Sequence, residues 1–262
     1  MSTDKIISRV DDGVGEIVFN NPEKRNAVSL DMWQAVDRAL DGFEKDAEVR
    51  VVVFSGAGGK AFVSGADVSR FESERATREA VARYAETTAA VYRRLQDFPK
   101  PTIARIRGYC VGGGVALAVC CDLRICGDTA KFGVPAAKLG LGYAVPNVKR
   151  LVDLVGPSFT REIFFTARMF SAAEASGMGL VNRVVPDAEL DAYVADYAAR
   201  ITANAPLTIA ALKTTVAELA KPESERDFGR CEAMIAACFD SADYIEGRRA
   251  FMEKRKPEFT GT

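Results

Sequence analysis

Three consecutive glycines, Gly112, Gly113 and Gly114, stand in the stretch GYCVGGGVALAVCCD, between a β-like run and small residues that predict a helix. Glycine inside regular structure costs roughly 0.5–1 kcal/mol relative to alanine, so the triplet requires a steric or chemical reason. One reason is a helix N-terminus whose backbone N–H groups, lacking intrahelical acceptors, contact a ligand. The other is close packing of the helix against a neighbouring segment.

The sequence contains no histidine. This excludes Ser-His-Asp and Cys-His catalysis, metal sites that use histidine, and the commonest general base of enzymes. The cysteines lie mostly in apolar contexts without a C-x-x-C pair, so we expect buried free thiols in a reducing compartment rather than disulfides or a zinc site. They are Cys110, Cys120, Cys121, Cys126, Cys231 and Cys238.

The composition sets limits on the class of protein. A chain of 262 residues, 48% of them hydrophobic, can bury a large core in one or two domains. Its 35 basic and 36 acidic residues nearly cancel, so no global field favours nucleic acid or an anionic membrane. The start MSTDKIISRV lacks a secretory segment, and no apolar run approaches the ~20 residues of a membrane helix. We therefore expect a soluble, cytoplasmic protein.

Strand and helix patterns alternate along the first part of the chain. β-like runs occur at IISRV, VGEIVFN, RVVVFSG, TIARIRG, DLRICG and LVNRVV. Ser29 is the predicted N-cap of a helix over LDMWQAVDRALDGF, and a second helix is predicted from Thr77 to about Asp97. From Pro186 onward every segment has a helical pattern. These patterns predict an α/β body followed by a helical layer that packs on a neighbouring subunit.

Four segments follow one another along the chain: NNPEKRNAVSLDM (20–32), GAGGKAFVSGADVSRF (56–71), KPTIARIRGYCVGGGVALAVCCDLRI (100–125) and EGRRAFMEKRKPEF (246–259). Their order and spacing resemble the crotonase, or enoyl-CoA hydratase/isomerase, superfamily over nearly the whole chain. The resemblance implies an α/β, crotonase-like (ClpP/crotonase) spiral of ββα units over residues 1–190, which holds the acyl-CoA site. It implies a helical oligomerisation region over residues 191–262, and hence a homotrimer or a hexamer formed as a dimer of trimers.

Crotonase-like enzymes bind acyl-CoA thioesters and stabilise an enolate oxygen with two backbone N–H groups. The resemblance places these donors at Ala66, in SGAD, and at Gly113. Gly113 then stands where a helix begins, so its N–H lacks an intrahelical acceptor. Coenzyme A is part of the substrate, so no separate cofactor is implied, and no metal, nucleic acid or membrane partner is expected.

The resemblance also implies which residues contact coenzyme A. In the first two motifs these are Lys24, Arg25, Ala27, Ala61, Ser64 and Ala66. From the last motif, Phe251 and Lys254 would reach the ligand of an adjacent subunit. Positive charge is suited to the phosphates of coenzyme A. For each lysine or arginine a solvated surface role is the alternative, and for Asp67 we expect a structural hydrogen-bonding role.

The sequence departs from the family at the positions that move protons. Enoyl-CoA hydratases carry one glutamate two residues after the triplet and another after the proline of an F-G-x-P-E run. These positions are Ala116 and Ala136 here, and Ala144 occupies the place where some isomerases and dehalogenases carry an aspartate. Because a methyl group cannot transfer a proton, ordinary hydratase activity is not expected.

Tyr143, in LGLGY, matches the place of an active-site tyrosine in some decarboxylases of the superfamily. The histidine that those enzymes carry beside the oxyanion donor is Ala66 here, and the alternative for Tyr143 is a packing role. The leading hypothesis is an acyl-CoA enzyme of the enoyl-CoA hydratase/isomerase type, a lyase or isomerase of fatty acid metabolism that stabilises a thioester enolate. The alternatives are a non-catalytic acyl-CoA carrier or regulator, and a decarboxylase-like enzyme that uses Tyr143.

Overall fold

The computed structural model describes residues 3–70 and 76–262, so Phe71, the last residue of the second motif, lies outside the described residues. The larger sheet has six strands, and each of the six predicted β-like runs overlaps one of them. They are β1 (Ile6–Asp11), β2 (Val14–Phe19), β3 (Val51–Gly56), β5 (Thr102–Ile106), β7 (Leu123–Gly127) and β10 (Arg183–Val185). Their order in the sheet is β1-β2-β3-β5-β7-β10.

Only the first pair of strands in this sheet is antiparallel. β1 and β2 form a hairpin whose turn places Asp12 and Gly13 at positive φ, and the other neighbours pair in parallel. The residues of β3 from Val51 to Ser55 are all buried, which explains the continuous apolar run in the sequence. A parallel strand buried on both faces shows no alternation of polar and apolar residues.

A second sheet consists of strands too short to give a pattern in the sequence. It contains β4 (Ala61–Val63), β6 (Tyr109–Val111), β8 (Lys131–Gly133) and β9 (Phe170–Ser171), in the order β4-β6-β8-β9. The predicted run PTIARIRGYC is therefore two strands, β5 and β6, separated by Gly108 at φ +66°. The pairs β3–β4, β5–β6 and β7–β8 each give one strand to each sheet, which is the repeated unit of the predicted spiral.

The two helices predicted in the first half of the chain are confirmed. α1 (Leu30–Lys45) begins after Ser29, whose hydroxyl donates to Asp31 instead of capping a backbone N–H. α2 (Arg78–Gln96) is capped by Thr77, which accepts a hydrogen bond from the N–H of Ala80. The helices pack together with the rings of Trp33 and Tyr92 edge to face, 5.2 Å between centroids. This contact lies in the main hydrophobic core, between the helices and the sheets.

Three more helices follow in the body: α3 (Gly113–Ala118), α4 (Val145–Thr166) and α5 (Ala172–Gly177). No helix is predicted from the sequence over α4, where Pro146, Gly156 and Pro157 interrupt the helical pattern. Gly156 has φ +76°, so α4 consists of two helical stretches joined at that glycine. Pro146 stands at the start of the helix, where a missing N–H costs no intrahelical hydrogen bond.

The helical tail is confirmed as α6 (Leu190–Thr202), α7 (Pro206–Leu219), α8 (Phe228–Asp240) and α9 (Ala242–Glu253). α6 packs Leu190 and Val194 against Val51 and Ile125 of the large sheet, and so covers the face opposite to α1 and α2. The division of the chain at residue 190 remains a prediction. None of the helices in the described ranges combines the length and apolar character needed to span a bilayer.

Candidate active site

Glycine is found at the positions of the triplet for different structural reasons. Gly112 has φ +55° and ψ −111°, a conformation that only glycine adopts readily. A methyl group on Gly114 would lie 2.2 Å from the carbonyl oxygen of Val63, so the close approach of α3 to β4 requires glycine. A methyl group on Gly113 would meet nothing closer than the Tyr92 hydroxyl, at 3.4 Å. Backbone conformation explains Gly112 and packing explains Gly114, but neither explains Gly113.

Gly113 is the first residue of α3, so its N–H has no acceptor one turn earlier in the helix. The N–H of Gly112 donates to the carbonyl of Gly133 at 2.8 Å. The N–H of Ala116 donates to the carbonyl of Gly112 at 3.1 Å. Within residues 3–70 and 76–262 no acceptor is found for the N–H of Gly113, so this donor is available to a ligand.

Ala66 forms a single β-bridge with Val28. The N–H of Val28 donates to the carbonyl of Gly65 at 2.8 Å, and the N–H of Asp67 donates to the carbonyl of Val28 at 3.0 Å. Because successive N–H groups of an extended chain point to opposite sides, the N–H of Ala66 points away from Val28. The carbonyl carbon of Gly65, which is bonded to the nitrogen of Ala66, would lie 4.0 Å from a methyl group on Gly113. The two predicted donors therefore lie on adjacent loops.

Two buried asparagines that the sequence analysis did not single out build the turn of the first motif. Asn26, at φ +57°, donates its side-chain N–H to the carbonyl of Ala61 at 2.7 Å and accepts from the N–H of Asn21 at 2.9 Å. The side chain of Asn21 donates to the carbonyl of Ala27 at 3.0 Å. Asn21 and Asn26 were the signal in the sequence that could have predicted this turn. Asparagine tolerates the left-handed conformation, and its side chain forms hydrogen bonds with nearby backbone groups.

The structure brings the predicted coenzyme A contacts of the first two motifs together. The N–H of Ser64 donates to the carbonyl of Arg25 at 3.2 Å, and its hydroxyl donates to the carbonyl of Lys24 at 3.3 Å. Together with the asparagine bonds, these contacts join one cluster around the turn. Its members are Lys24, Arg25, Ala27, Ala61, Ser64 and Ala66.

Asp67 has the structural bonds expected of it. Its side chain is buried and accepts from the ammonium of Lys24 at 2.9 Å and from the hydroxyl of Ser69 at 2.6 Å. Burial by itself would raise the pKa of this carboxyl, but the hydrogen bonds from Ser69 and Lys24 outweigh it and the pKa is lowered. The charge of Lys24 is thus directed at the Ala66 loop.

A shallow cleft beside this cluster carries positive charge. Its volume is about 420 Å³, and it is lined by Pro22, Glu23, Arg25, Gly58 and Lys60. The guanidinium of Arg25 lies 5.2 Å from the centre of the Tyr109 ring, a cation–π contact that holds the side chain over the surface. The two cations outnumber the one carboxylate, so the cleft is suited to an anionic group.

Phe251 and Lys254 lie at the end of α9 and not in this cluster. Phe251 is 81% exposed and Met252 80% exposed, at the edge of an apolar groove of about 970 Å³ between the last helices. In the described part of the chain, no hydrogen bond or ion pair joins Phe251 or Lys254 to the loops of Ala66 and Gly113. The single chain does not place these two residues at the site.

The two alanines predicted to stand at the proton-transfer positions are buried. Ala116, on the first turn of α3, is 3% exposed, and Ala136, in a 3₁₀ turn over Pro135–Leu139, is 6% exposed. Both belong to the hydrophobic core, and Ala144 is exposed before the start of α4. Neither of the two buried residues has a side chain that could carry a proton.

Two tyrosines contact neighbouring carbonyls of the glycine triplet. The hydroxyl of Tyr143 donates to the carbonyl of Gly112 at 3.2 Å, and the hydroxyl of Tyr92 donates to the carbonyl of Gly113 at 3.2 Å. Burial raises the pKa of both phenols above the ordinary value. Each is therefore a neutral donor at neutral pH. Nothing in the sequence pointed to Tyr92.

The cysteines are free thiols, as predicted, and five of the six are buried. Cys120 lies one turn after Ala116 and donates to its carbonyl at 3.1 Å. Burial raises the pKa of Cys120 to about 12, so the thiol stays protonated at neutral pH and cannot act as a ready base or nucleophile.

The family model described as "Enoyl-CoA hydratase/isomerase" matches residues 9–262. A relative named crotonyl-CoA hydratase, from Syntrophomonas wolfei, is 33% identical over 99% of both chains. A crystal structure of an enoyl-CoA hydratase/carnithine racemase from Magnetospirillum magneticum is similar with a TM-score of 0.91 and 38% identity, over 100% of this chain and 97% of that one. A putative enoyl-CoA hydratase/isomerase family protein from Hyphomonas neptunium has a TM-score of 0.92 and 35% identity, over 98% of each chain.

Proposed function

Because the chain belongs to the enoyl-CoA hydratase/isomerase family, we propose that it binds an acyl-CoA thioester and stabilises the enolate with the N–H groups of Ala66 and Gly113. The observation that carries the proposal is the Gly113 N–H, which has no acceptor in the described chain and lies beside the Ala66 loop. Neither backbone strain nor packing accounts for glycine at this position.

The geometry fits a reaction in which negative charge develops on the thioester oxygen. Loss of a proton or of CO₂ next to the carbonyl moves an electron pair onto that oxygen. Two N–H donors fixed by the Val28 bridge and by the start of α3 are already oriented, so they need no reorganisation as the charge forms. Removing one donor from such a site typically costs about 3–4 kcal/mol of transition-state stabilisation.

The proposed reaction differs from the ordinary hydration of an enoyl-CoA. Ala116 and Ala136 are buried methyl groups, and the phenols and the thiol beside the triplet have raised pKa values. These observations also favour a second candidate function, a non-catalytic acyl-CoA carrier or regulator. The decarboxylase-like reaction has less support, because the hydroxyl proton of Tyr143 is already donated to Gly112.

The coenzyme A part of the ligand would lie along the cluster of the first two motifs. The cleft with Arg25 and Lys60 is suited to a phosphate group. In a homotrimer or a dimer of trimers, a second copy would cover the apolar groove of α7–α9 and bring its Phe251 and Lys254 to this ligand. Free thiols support a reducing, cytoplasmic location.

The test compares two ligands of nearly equal size by isothermal titration. Acetyl-CoA presents a thioester oxygen, and S-ethyl coenzyme A has a methylene in its place. The thioester should bind more tightly, by roughly 0.5–1.5 kcal/mol for each hydrogen bond made to the oxygen. Equal affinities would refute the donor roles of Ala66 and Gly113.

A screen of enoyl-, malonyl-type and hydroxyacyl-CoA esters then separates enzyme from carrier. We expect turnover of at least one class. Saturable binding without turnover of any class would support the carrier. No detectable binding at millimolar ligand would overturn the whole proposal.

A further inference from the structure

The Gly112 carbonyl and the Gly113 N–H belong to one peptide group. This carbonyl accepts two hydrogen bonds, from the N–H of Ala116 at 3.1 Å and from the hydroxyl of Tyr143 at 3.2 Å. A peptide group is planar and trans, so its N–H points opposite to its C=O. Whatever fixes the direction of the carbonyl therefore fixes the direction of the Gly113 N–H.

We propose that Tyr143 is a positioning residue, which orients and polarises the peptide that carries the Gly113 N–H. The inference rests on the proposed function, because it concerns the donor assigned there to the thioester oxygen. It differs from the decarboxylase-like role considered for this residue, since the Tyr143 hydroxyl acts on the backbone and does not contact the substrate.

The backbone at this point needs such support. Gly112 and Gly113 lack the side chains that restrict rotation in other residues, and Gly112 has a conformation outside the usual regions. The bond from Ala116 comes from the first turn of a helix of six residues. A second donor on the same carbonyl limits rotation of the peptide, and hydrogen bonds to a carbonyl increase the donor strength of the N–H in the same peptide.

Tyr143 is itself held in place. Its ring meets the ring of Phe164 on α4 edge to face, with 4.9 Å between the centroids. Its side chain is half-buried and packs against the main core. Burial raises the pKa of its phenol, so the hydroxyl keeps its proton and remains a donor over the physiological range.

Tyr92 provides a matched control within the same site. Its hydroxyl donates to the Gly113 carbonyl at the same distance of 3.2 Å, but that carbonyl belongs to the next peptide, whose N–H is that of Gly114. Tyr92→Phe and Tyr143→Phe remove the same chemical group from neighbouring carbonyls. Only Tyr143→Phe changes the peptide that carries the Gly113 N–H.

The experiment measures the affinities of acetyl-CoA and S-ethyl coenzyme A for the full-length wild-type protein and both variants. Isotope-edited infrared spectroscopy also records the carbonyl stretch of bound acetyl-CoA. In the wild type the thioester should bind more tightly, with its stretch shifted to lower frequency than in free ligand. Tyr143→Phe should lower the ratio of the two affinities at least about twofold and move the stretch back toward the free value. Tyr92→Phe should leave both quantities near the wild-type values.

Two results would overturn the inference while leaving the proposed function intact. One is a Tyr143→Phe variant with the wild-type ratio and frequency. The other is an equal loss in both variants, which would indicate general loosening of the site. A wild type without preference for the thioester would overturn the proposed function, and the inference with it. If Tyr143→Phe does not fold, fluorotyrosine at position 143 keeps the ring and strengthens the donor, and it should shift the stretch further from the free value.

Discussion

Lys24 and Asp67 are 43 residues apart in the chain, and the Lys24 ammonium lies 2.9 Å from the Asp67 carboxylate. The Asp67 side chain is 3% exposed and the Lys24 side chain 44% exposed. The pair thus joins the turn of the first motif to the loop that carries Ala66. A residue predicted to contact coenzyme A also holds one of the proposed donor loops in place.

We expect Asp67→Asn and Lys24→Met each to lower the free energy of unfolding by about 1–2 kcal/mol, a range that allows for the partial exposure of Lys24. Each change leaves the other partner without its charge complement. The double variant should lose less than the sum of the two single variants. Chemical denaturation of the wild type and the three variants measures this coupling. Strictly additive losses in the free energy of unfolding would show that the interaction between Lys24 and Asp67 does not contribute to stability.

Acidification should destabilise the protein below about pH 4. The pKa of Asp67 is lowered from 3.8 despite burial, and hydrogen bonds from Arg255, the Glu258 N–H and Arg249 lower the pKa of Glu246 from 4.5. A lowered folded-state pKa gives stability that is present above the unfolded-state value and is lost as the pH falls through the folded-state value. Melting temperatures measured from about pH 7 to about pH 3 should fall, and fall less for Asp67→Asn. Equal pH dependence in both proteins would contradict this role of Asp67.

Adjacent glycines of the triplet should respond differently to alanine. Gly114→Ala places a methyl group 2.2 Å from the Val63 carbonyl oxygen, a backbone atom that cannot yield easily, and should destabilise the protein by about 1–3 kcal/mol or more. Gly113→Ala meets only the Tyr92 hydroxyl at 3.4 Å and improves helix propensity, so its stability should stay within about 1 kcal/mol of wild type. Thermal and denaturant unfolding test the contrast. Similar losses of stability in both variants would mean that close packing requires glycine at both positions.

Hydration of crotonyl-CoA should be slow or absent. A proton-transferring side chain typically contributes 10²–10⁴-fold, and Ala116 and Ala136 supply neither of the two expected groups. The decrease in enoyl absorbance measures the rate, with a hydratase of the same family as the positive control. A turnover number of about 10 s⁻¹ or more would show that another group performs the proton transfers.

Phe251→Asp should shift the protein toward the monomer. Phe251 and Met252 border the apolar groove of α7–α9, and a charge there opposes burial by a second copy. Light scattering should report a trimer or hexamer for the wild type and a smaller species for the variant. Ile7→Asp on β1, at a residue 42% exposed, is the control and should leave the assembly unchanged. A monomeric wild type would remove the basis for Phe251 and Lys254 as ligand contacts.

Patterns within single segments determined much of the fold in advance. The six runs that form the large sheet, the helices after Ser29 and Thr77, and the helical tail all carry local signals, because burial on one or both faces dictates where apolar residues recur. Ordered motifs with a glycine triplet were enough to identify the family. The identities of Ala116 and Ala136 are also properties of the sequence, and the prediction that the usual proton-transfer groups are missing rests on them alone.

The tertiary structure decided which groups meet across the chain. The second sheet has strands of only two or three residues, and Gly156 and Pro157 interrupt α4. These elements show no hydrophobic periodicity in the sequence, because they are stabilised by pairing and packing with distant segments. The bonds of Asn26 to Ala61 and of Tyr143 to Gly112 depend on positions far apart in sequence. A hydrogen bond is set by distance and direction in space, so the sequence alone could not show that Asn26 contacts Ala61 or that Tyr143 contacts Gly112.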